Sequence, residues 1–80
     1  MHLTHYVYIL LSSHGRSYVG LTTNLARRLA AHNAGRSPHT ARYRPWRLRV
    51  AIAFPGRANA AAFDRYLKSH SGRAFTSRHF

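Results

Sequence analysis

Residues 18–32 read YVGLTTNLARRLAAH: a strand end, a glycine, a run of capping residues, then a helix carrying an arginine and a histidine on one face. On a step of about 100° per residue, Arg28 and His32 border the apolar stripe of Leu25 and Leu29, while Arg27 points the opposite way. The scaffold therefore holds Arg28 and leaves Arg27 in water. A phenol, a guanidinium and an imidazole come to a common edge in this order, which suits the handling of a phosphate ester. Thr22 or Thr23 is the expected cap, the helix is expected to end near Asn33, and Gly35 fits the left-handed position beyond it.

Working outward, His5 to Leu11 (HYVYILL) is short, aromatic and β-branched, as a strand should be, and Ser12 to Gly15 is a turn. Arg16 to Gly20 is its antiparallel partner. Alternation puts Tyr6, Tyr8 and Leu10 on one face and Val7, Ile9 and Leu11 on the other, and one face must stay accessible if the tyrosines are to work. Arg36 to Arg44 is polar and basic, a loop or one helical turn displaying His39, Arg42 and Arg44. Trp46 to Phe54 is a third strand, with Trp46, Leu48 and Val50 opposite Arg47 and Arg49. Ala58 to Ser69 is helical with Ala60, Phe63 and Leu67 at core spacing, and Gly72 breaks or redirects the chain before a basic, aromatic tail. The resulting fold class is α+β: a three-stranded antiparallel sheet flanked by helices in the order β-β-α-β-α, a single domain over residues 1–80.

Composition narrows the function. The chain carries 13 Lys+Arg against one acid, a formal charge of +12, and Lys68 is the only lysine among those cations. Guanidinium forks match phosphate oxygens, so a polyanion is the expected partner, with DNA first and RNA left open. With no cysteine, disulfide staples and thiolate metal sites are excluded, and the chain reads as cytoplasmic. It has no signal-like leader or long apolar run, so no membrane partner is expected.

The order Tyr6-Val7-Tyr8, Tyr18-Val19-Gly20, Arg28, His32 and a late helical acid resembles the GIY-YIG nuclease domain, especially its small stand-alone bacterial members. The resemblance spans most of the chain and implies a metal-dependent endonuclease. It implies that Tyr8 and Tyr18 line the active site, that Arg28 holds the scissile phosphate, and that His32 moves a proton or contacts phosphate. It places the metal ligand, for Mg²⁺ or Mn²⁺, at Asp64, where the family usually has glutamate. His39 matches a further family histidine across a loop of variable length.

The chemistry asks for the same groups. A phosphodiester needs an activated water, positive charge on its nonbridging oxygens and help for the departing oxygen. A free phenol, with a pKa of about 10, is a poor base at neutral pH unless Arg28 and a metal favour its phenolate, and His32 is the competing base. Sequence leaves that choice open. Each residue also has a plain structural reading: strand packing for the tyrosines, a solvated head for Arg28, and for Asp64 an ion pair with Lys68 one turn on, worth about 0.3–0.5 kcal/mol.

Arg42, Arg44, Arg47, Arg73 and Arg78, with His39, form the expected nucleic-acid-binding set. The arginine and aromatic tail gives single-stranded DNA a slight preference, through stacking of Phe75 and Phe80 on bases; the plainer reading docks these rings on the core. The domain is too small for a separate sequence-reading module, so specificity is expected to be low, and branched DNA is a further candidate substrate. The alternatives are a basic nucleic-acid-binding protein that keeps the scaffold and cleaves weakly or not at all, and a chain that acts beside a protein partner or a second copy of itself.

Overall fold

In the computed structural model, which describes residues 3–80, β1 (His5–Ser12) and β2 (Ser17–Thr22) form the expected hairpin, with Gly15 at φ +79° in its turn. After them come α1 (Leu25–Asn33), α2 (Pro38–Ala41), β3 (Trp46–Phe54), α3 (Arg57–Leu67) and α4 (His70–His79). The antiparallel sheet has the order β2-β1-β3, so β1 is central and β2 lies at an edge. The α+β architecture is as expected, with the loop after α1 containing one short helix and the tail forming another.

Both sheet faces are covered. Val7 and Ile9 pack on Ala60 and Leu67 of α3, joined by Phe63, Phe75 and Phe80. Tyr8, Leu10 and Trp46 pack on the other face against Leu25 and Leu29 of α1. The expectation of an open face is therefore wrong. Tyr8 is 1% exposed and approaches the sheet edge across Gly20 instead.

Two further expectations change. Leu10 pairs with Leu48 but Ile9 pairs with Val50, which leaves Arg49 as an extra residue, a β-bulge. The slip sends Val50 to the α3 side while Trp46 stays on the α1 side. The helix cap is Asn24 and neither threonine: its Oδ1 accepts the Arg27 N–H at 3.1 Å, while Thr22 Oγ1 accepts the Asn24 N–H at 3.1 Å. Thr22 thus shapes the turn that delivers the cap.

Gly72 lies inside α4 and does not break the chain. Its N–H donates to Ser69 Oγ at 3.1 Å, capping the helix. The aromatic rings of the tail, Phe75 and Phe80, are packed into the core, so stacking on bases no longer supports a single-strand preference.

Candidate active site

His32 is the pivot of the site. It sits in the last turn of α1, 1% exposed, and the next residue clamps that turn to β3. Asn33 Nδ2–H donates to the Trp46 carbonyl at 2.9 Å, and its Oδ1 accepts the Trp46 N–H at 2.6 Å. With its helix end fixed, the imidazole spans two hydroxyls: Tyr8 Oη lies 3.0 Å from Nε2, and Thr40 Oγ1 lies 2.8 Å from Nδ1.

The partners assign the tautomer. Thr40 is held by the Trp46 indole N–H, which donates to its carbonyl at 2.8 Å, and its hydroxyl leans on the Ser37 carbonyl at 3.4 Å. A hydroxyl proton directed at that carbonyl leaves Oγ1 to accept from Nδ1–H, so Nε2 is free to accept the Tyr8 proton. Burial, then the nearby Arg28 charge, lowers the His32 pKa below its ordinary 6.5 and keeps the ring neutral. Burial likewise raises Tyr8 above 10.0, and Arg28 opposes this only in part. Arg28 acts in the expected direction, favouring the Tyr8 phenolate, but burial outweighs it: the phenol stays protonated and points its proton at a neutral histidine.

A stability prediction follows from His32. The unfolded chain takes up a proton near pH 6.5, while the folded ring resists protonation until lower pH. Its contribution is therefore full above pH 6.5 and is lost as the pH falls below that value toward the depressed folded pKa. Urea midpoints measured from about pH 8 to about pH 5 should fall less steeply for His32→Gln than for wild type. Parallel curves would remove His32 as the cause.

Gly20 makes the phenol's position possible. It faces Tyr8 across the β1–β2 pair, and a β carbon there would overlap the Tyr8 hydroxyl and stand 2.8 Å from ring carbon Cε1. Tyr18 flanks the same cluster, its ring centroid 4.8 Å from that of His32 and 6.3 Å from that of Tyr8. Arg28 is exposed on α1, and the nearby Tyr8 hydroxyl, with Tyr18 a weaker contributor, raises its pKa beyond the ordinary arginine value. This is an electrostatic juxtaposition; the guanidinium makes no geometrically complete hydrogen bond to either phenol.

Asp64 approaches from α3, on the opposite face of the sheet, and its charge is felt at Tyr8. Lys68 Nζ lies 3.2 Å from Oδ1 and donates to Oδ2 at 3.3 Å, so the plain ion-pair reading is realised. Yet Oδ1 is buried and lacks a well-directed hydrogen bond. Such a carboxylate oxygen, held only by the Lys68 ammonium, fits a weakly held hard cation, which needs few protein ligands because it keeps waters and takes substrate phosphate. No group of three or more His, Asp or Glu that could hold a metal occurs among the described residues.

The expected nucleic-acid-binding set is dispersed. His39 is exposed on α2 without a hydrogen bond to His32; its neighbour Thr40, missed in the sequence, makes one. Arg42 lies over the Tyr43 ring at 6.0 Å. Arg44 packs on Gly35 and donates from Nε to the Ala41 carbonyl at 2.6 Å. Arg47 is exposed on β3, Arg78 sits with Tyr66 and Phe75 on the far side of α4, and Arg73 lines a groove beside Lys68. Arg49, on the basic face of β3, shares that groove with Arg16, which the sequence does not single out.

Comparison with known proteins agrees with this fold. The family model of the GIY-YIG catalytic domain matches residues 4–78. The UPF0213 protein BH0048 of Halalkalibacterium halodurans is 38% identical over 72 residues, covering 89% of this chain and 77% of that protein. A UPF0213 protein of Cupriavidus pinatubonensis is 39% identical over 56 residues, covering 69% of this chain and 62% of its own length. The solution NMR structure of BH0048 superposes with a TM-score of 0.58 at 32% identity, covering 94% of this chain and 83% of that one. The names of these relatives assign no activity.

Proposed function

This chain belongs to the GIY-YIG catalytic-domain family, a family of nucleases, and on that premise we propose that it hydrolyses DNA phosphodiester bonds with low sequence specificity, assisted by Mg²⁺ or Mn²⁺. The observation that carries the reading is the Tyr8 hydroxyl, 3.0 Å from Nε2 of a buried histidine and facing Arg28. Tyr8 takes a proton from the attacking water while passing its own to His32, whose Nδ1–H remains on Thr40. The phenol is a relay, so its high pKa is no obstacle; His32 is the final base. Arg28 neutralises the charge that develops on the nonbridging oxygens. Tyr18 closes the outer side of the cluster. Asp64 would hold the divalent cation, which when bound polarises the phosphate and assists the departing 3′ oxygen. We place the activity in the cytoplasm, in keeping with the absence of cysteine; no described helix is long and apolar enough to cross a membrane.

One observation favours a second reading, a nucleic-acid-binding protein without hydrolysis: the Lys68 ammonium already compensates Asp64 at 3.2 Å. Cleavage assays decide. Purified protein is incubated with single-stranded, duplex and branched DNA in Mg²⁺, Mn²⁺ or EDTA, beside Asp64→Asn. The expected result is cation-dependent cleavage that drops about 100-fold or more in the variant while DNA binding persists. Intact DNA under every condition, with binding retained, would establish the second reading.

A further inference from the structure

A groove of about 590 Å³ opens between the β1–β2 hairpin and α4, on the sheet face that carries Ile9 and Val19. Arg16 comes from the hairpin, Arg49 from the bulge of β3, Lys68 from the end of α3 and Arg73 from α4, with Thr76 and Ser77 adding hydroxyls. These cations are far apart in sequence and meet only through the topology. Asp64, the chain's one acid, compensates Lys68 alone.

The ordinary explanation for exposed arginines is a solvated surface. Here two of them are anchored by neutral groups: the Arg16 guanidinium lies 4.7 Å from the Tyr43 ring centroid, and Arg49 Nε donates to the Phe80 carbonyl at 2.8 Å. Such anchors restrict the side chain without cancelling its charge, which is the preparation an anion site requires. Tyr18 lines both this groove and the candidate active site, and Lys68 joins the groove to Asp64. Tyr18 and Lys68 thus border both regions.

We propose that this groove binds the DNA strand flanking the scissile phosphate, with Arg16, Arg49, Lys68 and Arg73 contacting successive backbone phosphates. The proposal rests on the nuclease reading for its substrate. Phosphate oxygens in the groove compete with Asp64 for Lys68, so strand binding frees the buried Oδ1 as the substrate arrives. The strand is read by charge and spacing, without base contacts, which agrees with low sequence specificity.

The test is binding in EDTA, so that hydrolysis plays no part. Affinity of a fluorescein-labelled single-stranded DNA is measured by anisotropy across a salt series for wild type, Arg16→Gln/Arg73→Gln and a control pair, Arg27→Gln/Arg57→Gln, which loses the same charge away from the groove. The groove pair should bind at least about tenfold more weakly, and the slope of log affinity against log salt should become shallower by about 1.4, two phosphate contacts at about 0.7 each. The control pair should stay within about threefold of wild type. Arg73→Gln alone, which disturbs no side-chain hydrogen bond or ion pair among the described residues, should show half the slope change even if the Arg16 variant loosens the hairpin. Equal weakening by both pairs, or an unchanged slope in the groove pair, overturns the proposal. If the groove variants behave as expected while wild type never cleaves DNA in Mg²⁺ or Mn²⁺, the nuclease reading fails and the groove stands.

Discussion

Arg28→Ala is expected to lower kcat/KM for DNA cleavage by about 10²–10³-fold, equivalent to about 2.7–4 kcal/mol of transition-state stabilisation. Arg28 is the one guanidinium whose charge acts on both Tyr8 and His32, and it remains charged at any working pH because Tyr8 raises its pKa further. Exposed on α1, it leaves no buried cavity when truncated, so the thermal midpoint should stay near wild type. Arg27→Ala, one residue away and pointing elsewhere, should cleave within about threefold of wild type. The pH profile supplies an independent readout. Arg28 helps to lower the His32 pKa, so its removal should move the acid limb of the residual activity to higher pH. Equal losses in both variants, or an acid limb that does not move, would show that Arg28 contributes only general positive charge.

Rules that act within one element found most of this site. Strand alternation separates Tyr8 from Val7 and Ile9, and the 100° step of α1 separates Arg28 from Arg27, since both follow from local backbone geometry. Thr40 was invisible to such rules. It is an ordinary polar residue in a four-residue helix until α2 folds back and presents its hydroxyl to His32. The bulge at Arg49 escaped for a related reason. Trp46, Leu48, Val50, Ile52 and Phe54 alternate without a break, and only packing against helices on both faces requires a slip in their midst. The groove cations, Arg16, Arg49, Lys68 and Arg73, come from four separate parts of the chain, so no spacing could group them. Asp64 is the intermediate case: sequence marks it as the sole acid, while the burial of Oδ1 without a well-directed hydrogen bond belongs to the tertiary structure.

Gly72 separates local from tertiary causes by sign. Helix propensity alone makes Gly72→Ala stabilising by about 0.8–1 kcal/mol, because the residue lies inside α4. The packing demands the reverse: a β carbon at Gly72 would overlap the Tyr66 carbonyl oxygen and stand 2.6 Å from Leu67 Cα. Both are backbone atoms at the end of α3, so no rotamer change relieves the overlap and α4 itself must move. That movement would pull Phe75 and Phe80 from their packing against the core and shift Arg73 in the groove. The expected result is a net loss of about 2–3 kcal/mol, a thermal midpoint lower by on the order of 10 °C, and weakened DNA binding with the Tyr8–His32 cluster intact. Thermal unfolding of Gly72→Ala beside Ala74→Gly, an exposed position in the same helix, tests this directly. Ala74→Gly should cost about 1 kcal/mol through propensity alone. A Gly72→Ala variant more stable than wild type would mean that α3 and α4 do not approach closely at this point, and the groove between α4 and the hairpin would lose its wall.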